Sequence, residues 1–203
     1  MSDIGLFYVG AVLIVNGVML LGWLTPRAAA PLNLFVGAMQ VVTPTYLVMT
    51  SSGDAQAILG ASALYLFGFT YLWVGINALA DLPGHGLGWF SLFVAIFAAA
   101  HGVDSLRADA PVFGVIWMSW AVLWALFFVL LGLDRAGLGP LTGALAAVEG
   151  ALTAALPAWF LLHDGFTDSW AVALGGLAAG VVLVVVVWRW STALHRRAVA
   201  APA

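Results

Sequence analysis

The stretch VFGVIWMSWAVLWALFFVLLGL, residues 112–133, holds no charged side chain and one hydroxyl, that of Ser119. At about 1.5 Å of rise per helical residue, a run of this length crosses a hydrocarbon core of about 30 Å. Its apolar residues follow one another without the two-residue alternation of a barrel strand, so the spacing predicts a helix. Working outward, six more runs of the same kind lie at 4–24, 32–50, 57–80, 88–106, 141–163 and 169–188. Breaker-rich loops join them: Thr25-Pro26-Arg27, Ser51-Ser52-Gly53-Asp54, Asp81-Leu82-Pro83-Gly84, Asp104 to Pro111, Asp134 to Pro140 and His163 to Ser169. The expected fold class is an all-α integral membrane protein with seven transmembrane helices, multi-pass in the cell (plasma) membrane.

Composition points the same way. Of 203 residues, 64% are hydrophobic and 7% charged, where a soluble domain carries about a quarter charged. That excludes an ordinary cytosolic enzyme and a disordered chain. A net charge of −3 leaves no basic surface for nucleic-acid phosphates. The chain has no cysteine, so disulfides, thiolate metal sites and cysteine catalysis drop out. It has no lysine either, which removes any Schiff base to retinal or pyridoxal phosphate. Met1-Ser2-Asp3-Ile4 precedes the first apolar run without a basic region, so that run is read as a retained span rather than a signal peptide.

Arginine placement orients the chain. With the N-terminus outside, Arg27, Arg135, Arg189, Arg196 and Arg197 fall inside and Arg107 alone falls outside. The first six spans read as three hairpins. Tyr8 and Asn16 are eight residues apart in the first span, as are Phe69 and Asn77 in the third. The even spans share a small-apolar run, Asn33-Leu34-Phe35-Val36-Gly37 and Ser91-Leu92-Phe93-Val94-Ala95. Three such hairpins around one axis would enclose a path within each protomer.

Glu149 is the one ionisable side chain well inside a predicted span. A carboxyl group at that depth is costly unless protonated, paired or hydrated. It therefore either serves as a hydrogen-bonded structural link or faces a polar path. Thr153, four residues on, shares its helix face, and Pro157 frees a backbone carbonyl one turn later. Trp117, Trp120 and Trp124 share one face of the fifth span. Phe67, Thr70, Tyr71, Val74 and Asn77 form a face of the third, and Val9, Leu13 and Asn16 one of the first. Asn16 and Asn77 serve equally well as contacts between helices. Gly10, Gly17, Gly68, Gly75, Gly176 and Gly180 read as packing positions. The histidines lie at span ends or in the tail: His85, His101, His163 and His195. They are read as solvated loop residues rather than metal ligands. Aromatic walls, neutral polar groups and one carboxyl suit a small, neutral, planar solute, and suit an anion badly.

In these residues the chain resembles the AmiS/UreI family of urea and short-chain amide channels. The matching stretches are Tyr8-Val9-Gly10 with Asn16-Gly17; Asn33 with Phe35-Val36-Gly37; Leu66-Phe67-Gly68-Phe69-Thr70-Tyr71-Leu72; Ser91-Leu92-Phe93-Val94-Ala95-Ile96; Trp117 with Trp120 and Leu123-Trp124; and Glu149-Gly150 with Leu152-Thr153-Ala154 and Pro157-Ala158-Trp159. They span residues 4–163. The resemblance implies a homo-hexamer whose protomers each hold a pore. It implies pore-lining positions at Val9, Leu13, Phe67, Tyr71, Trp117, Trp120, Leu123, Trp124 and Glu149. Two departures stand out: the loop from Ser51 to Gln56 is short and lacks histidine, and a seventh span follows.

The expected organisation is a six-helix channel bundle over 1–163, then a seventh helix and basic cytoplasmic tail over 164–203. The expected function is passive passage of urea or a short-chain amide such as acetamide. No chemical step, cofactor, metal or nucleic acid enters it. A cytoplasmic amidase or urease is a fitting neighbour, and membrane lipid surrounds the chain. Two rivals stay open: a proton-coupled transporter using Glu149, and a structural or sensory membrane subunit.

Overall fold

The computed structural model describes the backbone of residues 2–200 and the side chains of residues 3–193. His195, Arg196 and Arg197 therefore have side chains outside the described residues, and Ala203 lies outside altogether. Among the described residues, seven helices are long and apolar enough to cross a membrane. They are α1 (Ser2–Leu20), α2 (Pro26–Thr50), α3 (Ala55–Ala80), α4 (His85–Arg107), α5 (Pro111–Gly132), α6 (Ala136–Leu162) and α7 (Trp170–Ala200).

The boundaries follow local chemistry. Thr25 accepts from the Ala28 N–H at the start of α2, with Pro26 at the first helical position. Asp54 accepts from Gln56 and Ala57 at the start of α3. Asp81, Asp109, Asp134 and Asp164 adopt φ of +51 to +56°, the left-handed geometry that ends helices. Thus these four loop aspartates are helix stops, while Asp54 is a helix start. The last helix runs well past the apolar limit of 188, because hydropathy falls at Arg189 while helix-forming residues continue.

Helices α1 to α6 close into a ring in which each neighbours the next and α6 returns to α1. The tightest pairs are α2 with α3, α4 with α5, and α6 with α1. These pairs join one hairpin to the next, so the three hairpins interlock. Glycine permits each crossing. A Cβ on Gly10 would lie 2.7 Å from the Gly150 carbonyl, one on Gly68 2.8 Å from the Gln40 carbonyl, and one on Gly88 would collide with Gly132. Small residues let the backbones touch where larger ones would separate them. The last turn of α5 (Phe128–Gly132) and the middle of α6 (Gly150–Ala155) widen into π-helix. In α6 the widening sits at the Gly10 crossing and just before Pro157, which cannot donate to the backbone ladder.

Helix α7 packs outside the ring, across the seam of α5 and α6. Only 6% of its apolar window is buried. Within the protomer, Gly176 and Gly180 do not mark a close helix crossing. A Cβ on Gly176 would meet nothing within 4 Å, and one on Gly180 only Leu152 at 3.9 Å.

Candidate functional site

Five helices converge on a cavity of about 690 Å³ at the end of the ring where α1, α3 and α5 finish. Its rim carries Arg27 and Asp81, paired at 2.6 Å, and its wall carries Asn16, Val74, Asn77 and Ser91. Leu13, Tyr71 and Trp124, each at most 1% exposed, close its deep end. Beyond them lies a buried cluster that also holds Val9, Phe67, Trp120 and Leu123, with Trp117 packed against it. Phe67 is its hub. Its ring centroid lies 5.6 Å from Trp117, 5.0 Å from Trp120 and 5.2 Å from Trp124. Trp117 stacks on it while Trp120 and Trp124 meet it edge-on, and such contacts lock the rings into one arrangement. Eight of the nine expected positions thus come together around the ring's interior.

The polar groups divide into engaged and open. Trp120 Nε1 donates to Thr153 Oγ1 at 2.8 Å, and Thr153 donates to the Glu149 backbone carbonyl at 2.6 Å. Thr153 therefore meets Glu149 through the main chain, not through the carboxyl group. Trp124 Nε1 points to Thr70 Oγ1 at 3.4 Å, and Thr70 donates to the Leu66 carbonyl. Both mid-membrane indoles face inward, and both already have acceptors. The Tyr71 hydroxyl and Asn77 Oδ1 are buried without a partner. A buried polar group left unpaired is costly, so each is a ready contact for a polar guest. Along this cavity, Tyr71 offers a donor and Asn77 an acceptor.

Asn16 is engaged elsewhere. It exchanges two hydrogen bonds with Asn33, at 2.9 and 2.7 Å, tying α1 to α2. The sequence reading used Asn33 as a repeat marker and in the family resemblance but not as a helix contact, although an amide in an apolar span was the available signal. Ser119 was also passed over; its hydroxyl donates to the Ile116 carbonyl at 2.9 Å, and it lines the same cavity as Glu149. Glu149 is 5% exposed and Oε2 has no partner. It sits in the seam of α5 and α6, one turn from Thr153. It borders a second cavity, under α7, and does not line the first. At the other end of the ring, His101 stacks on Trp117 at 4.9 Å, while His163 bonds the Trp159 carbonyl at 2.8 Å, so the two are engaged separately.

A closed ring of six membrane helices with a vestibule ending on interlocked aromatic rings is the architecture of a solute-conducting bundle. The chain belongs to the AmiS/UreI family of transporters, whose profile matches residues 1–165. It is 56% identical over 186 residues to a Mycolicibacterium smegmatis protein named as a transporter of amidate substrates, covering 91% of this chain and 84% of that one. It is 34% identical over 191 residues to the acid-activated urea channel of Helicobacter pylori, covering 79% of this chain and 97% of that one. The crystal structure of the urea channel from Helicobacter pylori superposes with a TM-score of 0.73 at 32% identity, over 82% of this chain and 100% of that one. The family match stops at 165, and α7 begins at Trp170.

Proposed function

We propose that the protein is a passive channel for urea or short-chain aliphatic amides, with one path through each protomer. The observation that carries this is the vestibule whose deep end is closed by Leu13, Tyr71 and Trp124. A planar solute slides between ring faces there and exchanges water for the Tyr71 hydroxyl and the Asn77 carbonyl in turn. Neutral contacts of modest strength let it enter and also leave. The path runs past Val9, Leu13, Phe67, Tyr71, Trp117, Trp120, Leu123 and Trp124, with Glu149 as its side wall behind Trp120 and Thr153. Residues 1–163 form the conducting unit, and 164–203 an addition to it. The functional particle is a homo-hexamer, its N-terminus outside and C-terminus in the cytoplasm, working beside an amidase or urease.

The names of the relatives, a transporter of amidate substrates and a urea channel, support this solute class. The test is stopped-flow shrinkage of liposomes holding the purified protein, with urea, acetamide, glycerol and formate. Faster equilibration of urea and acetamide than of formate supports the reading, and flux no different from empty liposomes overturns it. The unpartnered Glu149 oxygen favours one second reading, proton-coupled uptake. Accumulation of amide against its gradient under an imposed pH gradient would establish that reading.

A further inference from the structure

The space under α7 shares no lining residue with the vestibule and measures about 760 Å³. That lies within the range of small-molecule sites, roughly 300–1,000 Å³. Membrane helices normally use glycine to close such gaps. Here Gly175 and Gly176 would give a Cβ nothing to touch within 4 Å, so the glycines hold space open. The remaining walls are apolar, from Ile116 and Leu152 on the bundle to Val184 on α7. Ser119, Thr153 and Thr167 interrupt them with hydroxyls, and Glu149 with a carboxyl oxygen, Oε2, that has no partner.

A guest that satisfies both features needs a neutral hydrogen-bond donor at one end and a hydrocarbon body. Urea leaves the walls unfilled. A bilayer lipid keeps its headgroup at the interface and brings no donor to this depth. We propose that the cavity between α5, α6 and α7 binds an aliphatic primary amide, its NH₂ donating to Glu149 and its alkyl chain lying against Gly176 and Gly180. This rests on the reading of the chain as a urea and amide channel and assigns it a site for the longer amides, built with a helix that lies outside the family match.

The experiment uses the full-length protein in nanodiscs and hexanamide as the probe, followed by ligand-observed NMR. Gly176→Leu and Gly180→Leu fill the space where a side chain meets little or nothing. Each is expected to raise the hexanamide Kd about tenfold, the share of roughly two displaced methylenes. Val186→Leu adds bulk on the outward side, where Val186 is 55% exposed, and is expected to bind as wild type. Glu149→Leu tests the polar end and is also expected to weaken binding. Equal Kd values for wild type and both glycine variants, or a lipid that copurifies and keeps hexanamide out, overturn the proposal. Urea flux measured on the same wild-type preparation separates the two readings: a protein that conducts urea yet fails these binding tests loses the site and keeps the channel.

Discussion

At the scale of single residues, Glu149 carries the sharpest expectation. Its buried, unpartnered oxygen lies beside Ser119 and one turn from the threonine that holds Trp120. Glu149→Gln keeps the shape and part of the bonding, and Glu149→Leu removes both. Because Glu149 stands behind Trp120 and Thr153 rather than in the vestibule, it acts on transit by holding that pair in place, a contribution of about 1 kcal/mol, or roughly fivefold in rate. Urea flux in liposomes should therefore fall in the order wild type, Gln, Leu. A well-assembled Glu149→Leu protein with unchanged flux would show that this carboxyl does not border the path. The sequence made Glu149 legible because a charge at mid-depth is rare. It did not show which way the carboxyl points, because that depends on the loose seam between α5 and α6. It also left open how the indoles are satisfied: their acceptors, Thr70 and Thr153, come from other helices, α3 and α6.

At the scale of helices, all seven spans were readable, since about 20 consecutive apolar residues have few other uses, although α2 and α6 start earlier and α7 ends later than the apolar runs do. The tight pairs of the ring were not, because apolar helices carry little pairing information apart from their glycines. Gly10→Val tests this. Its side chain would be driven into the Gly150 carbonyl and the backbone of Ala155, and overpacking of this kind costs roughly 1–3 kcal/mol. We expect a lower melting temperature and less assembled protein, read by size-exclusion chromatography. The loop between α2 and α3 supports a second expectation. It turns through Ser52 and Gly53, both at positive φ, and carries no histidine. Urea flux should vary by less than about twofold between about pH 5 and 7.5, where an unperturbed histidine changes charge. A steep acid-induced rise, abolished by changing His101 and His163, would place a sensor at the helix ends instead.

At the scale of the whole molecule, the proposed orientation rests on five arginines against one. Single cysteines at Ser2 and Ala203, treated with an impermeant reagent in intact cells, should label at Ser2 only. Labelling at Ala203 would reverse the proposed topology. The ring and its vestibule define the central claim, that solute crosses the molecule through the aromatic cluster around Phe67. Trp124 forms part of the vestibule's deep end and is fully buried. The most direct measurement is the ratio of urea to isobutyramide permeability, by stopped-flow, in liposomes holding wild type or Trp124→Ala. Removing the indole should preserve urea flux and lower the ratio several-fold, because the bulkier amide gains room at the closed end of the vestibule. An unchanged ratio in a correctly assembled Trp124→Ala protein would place the path elsewhere.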